Sequence, residues 1–259
     1  MRLGQIRFEN KLTAALFEEG GARPVPGYSL VELIRKGVTE GPAVALLAER
    51  MASRHPESTA PGIPICPVEV WGCGCAGERD RPPIFFKGTA RICVGPAQPI
   101  GIRFDSKFTA PVPALAVVLG PNGAPLGYTL ANDVTARDLE AGSPCCLPQA
   151  KTFTASCALG PVIVSVDEIA SLGALRLSCT IRRGGEEVFS QSVALGAMEQ
   201  RLPVILDHLM RANKVPAGSA LLAEIGIRVP ESAALAPGDT VHIAIPEIGE
   251  LVNPAMIVR

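Results

Sequence analysis

Apolar and polar positions along the chain follow two rules, one on either side of a proline-rich stretch. Before it the spacing is helical. Ser29 with Glu32 three residues on matches a capping box, and Leu30, Val31, Leu33 and Ile34 predict a helix that ends at Gly37. A second helix is predicted from Pro42, a residue suited to a first helical position, with Val44, Leu46, Leu47 and Met51 forming a stripe beside Glu49 and Arg50. Between Arg54 and Pro67 stand Pro56, Pro61, Pro64 and Pro67 with Ser58 and Gly62, a composition that neither a helix nor a central strand tolerates. A boundary is therefore expected there, dividing the chain into residues 1–60 and 66–259.

Beyond the boundary, short apolar runs alternate with Gly/Pro turns. They span Val68–Trp71, Ile84–Phe86, Leu115–Leu119, Leu126–Leu130, Val162–Val166, Leu175–Ile181, Ile225–Val229 and Val241–Ile245, and they predict a β-rich domain. One more helix fits, opened by Pro203 and carrying Leu202, Ile205, Leu206, Leu209 and Met210. The uncharged span Phe108–Asn132 is long enough to suggest a membrane helix. Pro111, Pro113, Pro121, Pro125 and the Asn122-Gly123 turn break it into two buried strands instead.

Composition narrows the function classes. The 259 residues are 47% hydrophobic and 19% charged, which suits a folded core. With 24 basic residues against 25 acidic and only 4% aromatic, neither nucleic acid nor an anionic membrane is an expected partner. Arg2, Arg7, Glu9 and Lys11 interrupt the N-terminal apolar pieces, so no secretory leader is predicted, and eight cysteines then imply reduced thiols and a cytoplasmic location.

Common motifs fail on context. Gly72-Cys-Gly-Cys-Ala-Gly77 fits G-x-G-x-x-G, but Glu78 to Pro83 cannot open the helix on which a pyrophosphate would rest, so a tight glycine turn is expected. Cys73-x-Cys75 and Cys145-Cys146 could form a soft-metal thiolate site only if the fold joined them, and neither has C-x-x-C spacing. No G-x-S-x-G elbow is present. The three histidines, His55, His208 and His242, lie on separate predicted elements.

A more specific signal is Gly127-Tyr-Thr-Leu-Ala-Asn-Asp-Val-Thr-Ala-Arg-Asp-Leu139. It resembles the G-Y-T-x-x-N-D-x-[ST]-x-R-D signature of the fumarylacetoacetate hydrolase superfamily. Leu147-Pro-Gln-Ala-Lys151, Cys157-Ala-Leu-Gly-Pro161, Ile84-Phe-Phe-Lys87, Val215-Pro-Ala-Gly218, Pro237-Gly-Asp239 and Ile248-Gly-x-Leu-x-Asn-Pro254 are similar to the branch of 2-keto-3-deoxy sugar-acid dehydratases. The resemblance implies an α+β fold, a mixed β-roll with a small N-terminal α/β domain, and a homodimer. It also implies lyase or C–C hydrolase chemistry through an enolate of a small 2-keto, diketo or enol acid. In such enzymes magnesium held by an E-x-E pair and the Asp of N-D chelates the keto acid, and a lysine equivalent to Lys151 stabilises charge.

Several positions depart from that pattern. Asp133 is present, but where a P-E-P-E-L-A segment is expected the chain reads Pro111-Val-Pro-Ala-Leu-Ala116, so both glutamates are missing. A lone carboxylate leaves magnesium to its water shell, so Asp133 reads as a vestigial ligand of a degenerate metal site. No cofactor is expected, with magnesium only if the site is completed in some other way. Leu222-Ala-Glu-Ile-Gly226 replaces a T-G-T-G-like turn whose Thr would grip the substrate carboxylate, and the segment between Trp71 and Phe85 is short. The residues left for catalysis are Lys151, Asp133 and Glu224, with Gln149, Asn132 and Lys87 for substrate. Arg137 and Asp138 read as a structural pair fixing the turn. The reading is a metal-independent enzyme in which Lys151 anchors the developing enolate of an organic acid; the alternative is a catalytically silent binding or assembly subunit.

Overall fold

The computed structural model describes residues 1–40, 43–57, 59–74 and 81–259. Its strands are β1 (Arg2–Phe8), β2 (Lys11–Glu18), β3 (Gly21–Pro24), β4 (Val70–Cys73), β5 (Ile84–Gly88), β6 (Cys93–Val94), β7 (Ile100–Arg103), β8 (Thr109–Ala110), β9 (Pro113–Leu119), β10 (Pro125–Asp133), β11 (Thr135–Ala136), β12 (Cys157–Ser165), β13 (Arg176–Arg183), β14 (Glu186–Ala194), β15 (Ala220–Glu224), β16 (Thr240–Ile245) and β17 (Gly249–Val258). The helices are α1 (Leu30–Glu40), α2 (Val44–Met51), α3 (Arg137–Gly142), α4 (Leu147–Lys151) and α5 (Met198–Met210).

The central sheet runs β3-β2-β1-β12-β10-β9-β15-β4-β5, with β6 pairing to β12 as a branch. A second sheet runs β14-β13-β16-β17-β7, and β8 pairs with β11. The central strands read as unbroken apolar runs because both of their faces are covered. In β9, Leu115, Val117 and Leu119 face one hydrophobic core while Ala114, Ala116 and Val118 face another. The first core is closed by the second sheet, through Leu177, Cys179, Val241 and Ile243, and by Leu202, Ile205 and Leu209 of α5. The second core is closed by Leu30, Leu33 and Ile34 of α1 and Val44 and Leu47 of α2. This is the expected α+β architecture with mixed sheets.

The N-terminal segment is joined to this framework by hydrogen bonds as well as by packing. β1 pairs with β12 in the register Arg2↔Val164 and Leu3↔Ile163, so β1 to β3 extend the central sheet. The β1–β2 hairpin carries no clear alternating signal; its turn uses Glu9 and Asn10 at positive φ, 48° and 63°. The capping box forms as predicted: Glu32 N donates to Ser29 Oγ at 3.4 Å and Ser29 N to Glu32 Oε2 at 2.7 Å. The helix passes through Gly37 to Glu40, and Pro42 lies outside the described residues.

Three further expectations change. The third long helix starts at Met198, so Pro203 lies inside it and does not open it. The strand expected at Ile225–Val229 lies earlier, at Ala220–Glu224, because the ladder to β9 stops at Glu224↔Ala114 and Gly226 turns the chain with φ 89°. Gly72 and Cys73 belong to strand β4, not to a turn. A Cβ on Gly72 would stand 2.2 Å from the Phe85 ring, so glycine is needed there for close packing. Residues 75–80, with Cys75 and Gly77, lie outside the described residues. No helix among the described residues is long and apolar enough to cross a membrane.

Candidate active site

β10 ends at Asp133, whose side chain is completely buried. A carboxylate in that position must be paired, since an isolated buried charge costs several kcal/mol, on the order of what holds a domain together. Two lysines pair it. Lys87 of β5, also fully buried, places Nζ 2.5 Å from Asp133 Oδ1, and Lys151 at the end of α4 places Nζ 3.0 Å from Oδ2. Lys87 Nζ also donates to the Val134 carbonyl at 3.2 Å and to the Lys151 carbonyl. Thr152 Oγ1 donates to the Lys87 carbonyl at 2.7 Å and Ser156 Oγ to the Lys151 carbonyl at 3.1 Å, tying β5 to the end of α4. Lys87 is thus a buried counter-ion beneath the site, away from any surface a substrate could reach.

Lys151 faces the other way, into a cleft of about 370 Å³ whose walls include Phe85, Arg137, Glu140, Glu224 and Arg228. Its ammonium lies 3.0 Å from Glu224 Oε1 and 3.6 Å from Glu140 Oε1, and 5.0 Å from the centroid of the Phe85 ring. Three carboxylates from three elements, β10, α3 and β15, therefore converge on one cation. Burial by itself would lower the affinity of Lys151 for its proton, but Asp133, Glu224 and Glu140 together outweigh it and raise the pKa well above the ordinary lysine value. Burial would likewise push the Asp133 carboxyl up, yet Lys151 and Lys87 hold it below the usual carboxylate range. Both groups are charged throughout the physiological range.

Of the residues selected from sequence, Asp133, Lys151, Glu224 and Lys87 come together here. Asn132 and Gln149 do not reach the cleft. Asn132 is fully buried, and its Oδ1 accepts from Val112 N at 3.1 Å while Asp133 N donates to the Val112 carbonyl at 2.9 Å, so this side chain shapes the backbone before β9. The Gln149 side chain is exposed on α4, and its carbonyl accepts from Arg103 Nη1 at 3.1 Å. Arg137 and Asp138 do not pair with each other. Arg137 Nη1 bonds Glu140 Oε2 at 2.6 Å, whereas Asp138 accepts from Ser106 Oγ at 2.6 Å and from Lys107 N at 2.8 Å. Cys145 and Cys146 are free thiols, and Cys73 is buried in β4.

Sequence reasoning does not find Glu140, Phe85 or Arg228. Glu140 has a signal, its i,i+3 spacing from Arg137 on a helical turn, but nothing local indicates that the helix end aims it at Lys151. Phe85 lies in a recognised motif without a role that its type would reveal. Arg228 has no sequence signal.

Residues 76–255 match the fumarylacetoacetate (FAA) hydrolase C-terminal family. Among curated proteins, the chain is 39% identical over 216 residues to a 2-dehydro-3-deoxy-D-arabinonate dehydratase of Saccharolobus solfataricus, covering 74% of this chain and 72% of that protein. It is 35% identical over 176 residues to a probable 2-keto-3-deoxyxylonate dehydratase of Haloferax volcanii, covering 68% of this chain and 61% of that protein. Among solved structures it resembles a 2-keto-3-deoxy-D-arabinonate dehydratase complexed with magnesium and 2,5-dioxopentanoate, with TM-score 0.85, 32% identity and full coverage of both chains.

That complex overturns the expectation of a site without cofactor, because a protein of the same architecture holds magnesium with its ligand. The premise behind the expectation also fails: Asp133 does not stand alone. Glu224 is registered directly opposite Ala114, one of the apolar positions that suggested a lost ligand, and Glu140 approaches from α3. Among the described residues no group of three or more His, Cys, Asp or Glu is spaced to enclose a metal as the side chains stand, since Lys151 occupies their point of convergence. The donor chemistry nevertheless suits magnesium, which takes carboxylate oxygens and binds through only one or two of them beside water and substrate.

Proposed function

Because the chain belongs to the fumarylacetoacetate hydrolase family, we propose that it is a lyase that dehydrates 2-keto-3-deoxy sugar acids. The observation that carries this reading is Lys151: a permanently charged ammonium, fixed by three carboxylates, at the floor of a cleft that can admit a small acid. The similarity to two sugar-acid dehydratases over at least 68% of the chain supports the substrate class.

Dehydration of such an acid removes a proton from C3, made acidic by the adjacent C2 carbonyl. The C–H electron pair moves to the carbonyl oxygen as an enolate, then returns to form the C3–C4 double bond. The C4–oxygen bond breaks, and the departing hydroxide takes a proton and leaves as water. The C3–C4 alkene then loses a proton from C5 and gains one at C3, and the resulting C4–C5 enol tautomerises to the C5 aldehyde of 2,5-dioxopentanoate. The enzyme must therefore stabilise negative charge on the C2 oxygen and carry protons. Lys151 does the first, as a preorganised positive charge in a partly water-excluded site, where such interactions count for more than in water. Glu224 is the proton carrier: it lines the cleft, whereas Asp133 lies beneath it and Glu140 Oε2 is engaged by Arg137. Magnesium, when bound, supplies Lewis-acid stabilisation of the same enolate oxygen, and Asp133 with Glu140 are the carboxylates that would hold it. Asp133, gripped by two lysines, and Lys87 below it set the position of Lys151 and touch no substrate.

The test is turnover of 2-keto-3-deoxy-D-arabinonate with magnesium present, followed by release of 2,5-dioxopentanoate. The wild-type protein should form product and Lys151→Ala should form none. Folded wild-type protein that turns over neither this acid nor its xylonate and hexonate counterparts would overturn the proposal.

A further inference from the structure

Among the described residues, the charges in and beneath the cleft do not cancel. Asp133, Glu140 and Glu224 carry three negative charges, and Lys87, Lys151 and Arg137 carry three positive ones, each engaged with a named partner. Arg228 is the seventh charge. It lines the same cleft, is exposed, and forms no ion pair among the described residues.

Its placement follows from the segment after β15. Ile225, Ile227 and Val229 are buried, while Glu224, Gly226 and Arg228 all line the cleft. Gly226, at φ 89°, turns the chain within this segment, and the buried Ile225, Ile227 and Val229 hold the turn in place, with Ile227 also forming part of the cleft wall. Glu224 and Arg228 thus border the same cleft from either side of one anchored turn. The anchoring distinguishes Arg228 from an arginine on a loose surface loop, where a solvated guanidinium would be the ordinary outcome.

From this we infer that Arg228 is the residue that binds the carboxylate of the substrate, so that the cleft selects monoanionic keto acids over neutral carbonyl compounds. The inference rests on the proposed function for the identity of the substrate, but its chemistry is independent of turnover. A guanidinium presents paired N–H donors that match a carboxylate bidentately and keeps its charge at every working pH. Arg137 is excluded from the task by Glu140, which already occupies it at 2.6 Å. The sequence read as a lost carboxylate grip, Leu222-Ala-Glu-Ile-Gly226, is followed two residues later by this cation.

The experiment compares binding of pyruvate and of pyruvamide, its neutral analogue, to the magnesium-loaded protein by ligand-observed NMR titration. Wild-type protein should prefer pyruvate; Arg228→Ala and Arg228→Gln should weaken pyruvate by about tenfold or more and leave pyruvamide nearly unchanged. Arg228→Lys should recover part of the loss. An unchanged pyruvate affinity in the folded Ala and Gln variants, an equal loss for both ligands, or a wild type that does not discriminate each overturns the inference. Turnover of the sugar acid is measured separately. If the pyruvate contrast appears with no sugar-acid turnover, the carboxylate site stands and the dehydratase reading falls; if turnover occurs with unchanged KM in Arg228→Ala, the dehydratase reading stands and the carboxylate site falls.

Discussion

Lys87 shows how a residue can support a site from beneath without facing its cleft. Its side chain is fully buried, so replacing it with Met leaves Asp133 with half its compensation and the Val134 carbonyl without its donor. Lys87→Met should destabilise the fold by about 3–5 kcal/mol, the range for breaking a buried ion pair from one side, as measured by urea unfolding. Gly72 acts by close approach: Gly72→Ala should push Phe85 off the cleft wall, cost about 1–3 kcal/mol of stability and reduce turnover, checked by thermal unfolding and kinetics together. Lys151 keeps its proton at neutral pH, so it cannot act as a neutral nucleophile. Borohydride treatment with pyruvate should leave no adduct on Lys151 by mass spectrometry.

The ion cluster also has a pH signature. Asp133 titrates lower in the folded protein than in the unfolded chain, so its stabilisation is complete above about pH 3.9 and is lost as pH falls through the folded value. Lys151 titrates higher, so its share is complete below about pH 10.4 and is lost as pH rises through the folded value. The stability difference between wild type and Asp133→Asn should therefore stay level from about pH 5 to 9 and shrink on acidification below about pH 4, which acid titrations of unfolding free energy can follow.

At the scale of elements, the N-terminal segment and the β-roll are interdependent. β1 covers the edge of β12 that lies away from β10, and Leu30, Leu33, Ile34 and Leu47 complete a core whose other members include Val118, Leu159, Ile163 and Leu222. Removing residues 1–66 should expose that core and an unpaired strand, giving an aggregating product where an independent domain would stay in solution. Light scattering of the refolded fragment distinguishes the two. The capping box is legible because it is local, two side chains three residues apart. The end of α1 is not: Gly37 permits a stop, but the apolar contacts of Leu30 to Ile34 with the sheet support the helix beyond it. Pro203 misplaces the start of α5 for a similar reason, since the buried Met198 and Leu202 hold the preceding turn in place.

For the molecule as a whole, the arrangement of layers makes the site. β5, β10, α4 and β15 each deliver one charged residue and α3 delivers two, Arg137 and Glu140, and these residues lie from 3 to 137 positions apart in the chain. Because the three carboxylates converge, magnesium or manganese should bind the wild-type protein measurably by titration calorimetry. Asp133→Asn and Glu140→Gln should each weaken that binding by about tenfold or more, through loss of a charged oxygen donor. No detectable binding to the folded wild type would show that Lys151 keeps its place against the ion.

The amino-acid order alone determined what depends on neighbours in sequence: the short apolar runs between Gly/Pro turns, the capping box, and the contiguous signature around Asn132-Asp133 with its lysine at 151. It also made plain that Val112 and Ala114 cannot donate oxygen. Only the tertiary structure decided that Glu224 stands opposite Ala114, that Glu140 reaches the same ammonium, and that Asn132 and Gln149 stay out of the cleft. The physical reason is that register and layer packing bring distant residues together through hydrogen-bonded ladders and buried apolar faces. A carboxylate can be brought opposite an apolar position of the neighbouring strand without leaving any mark in the local pattern.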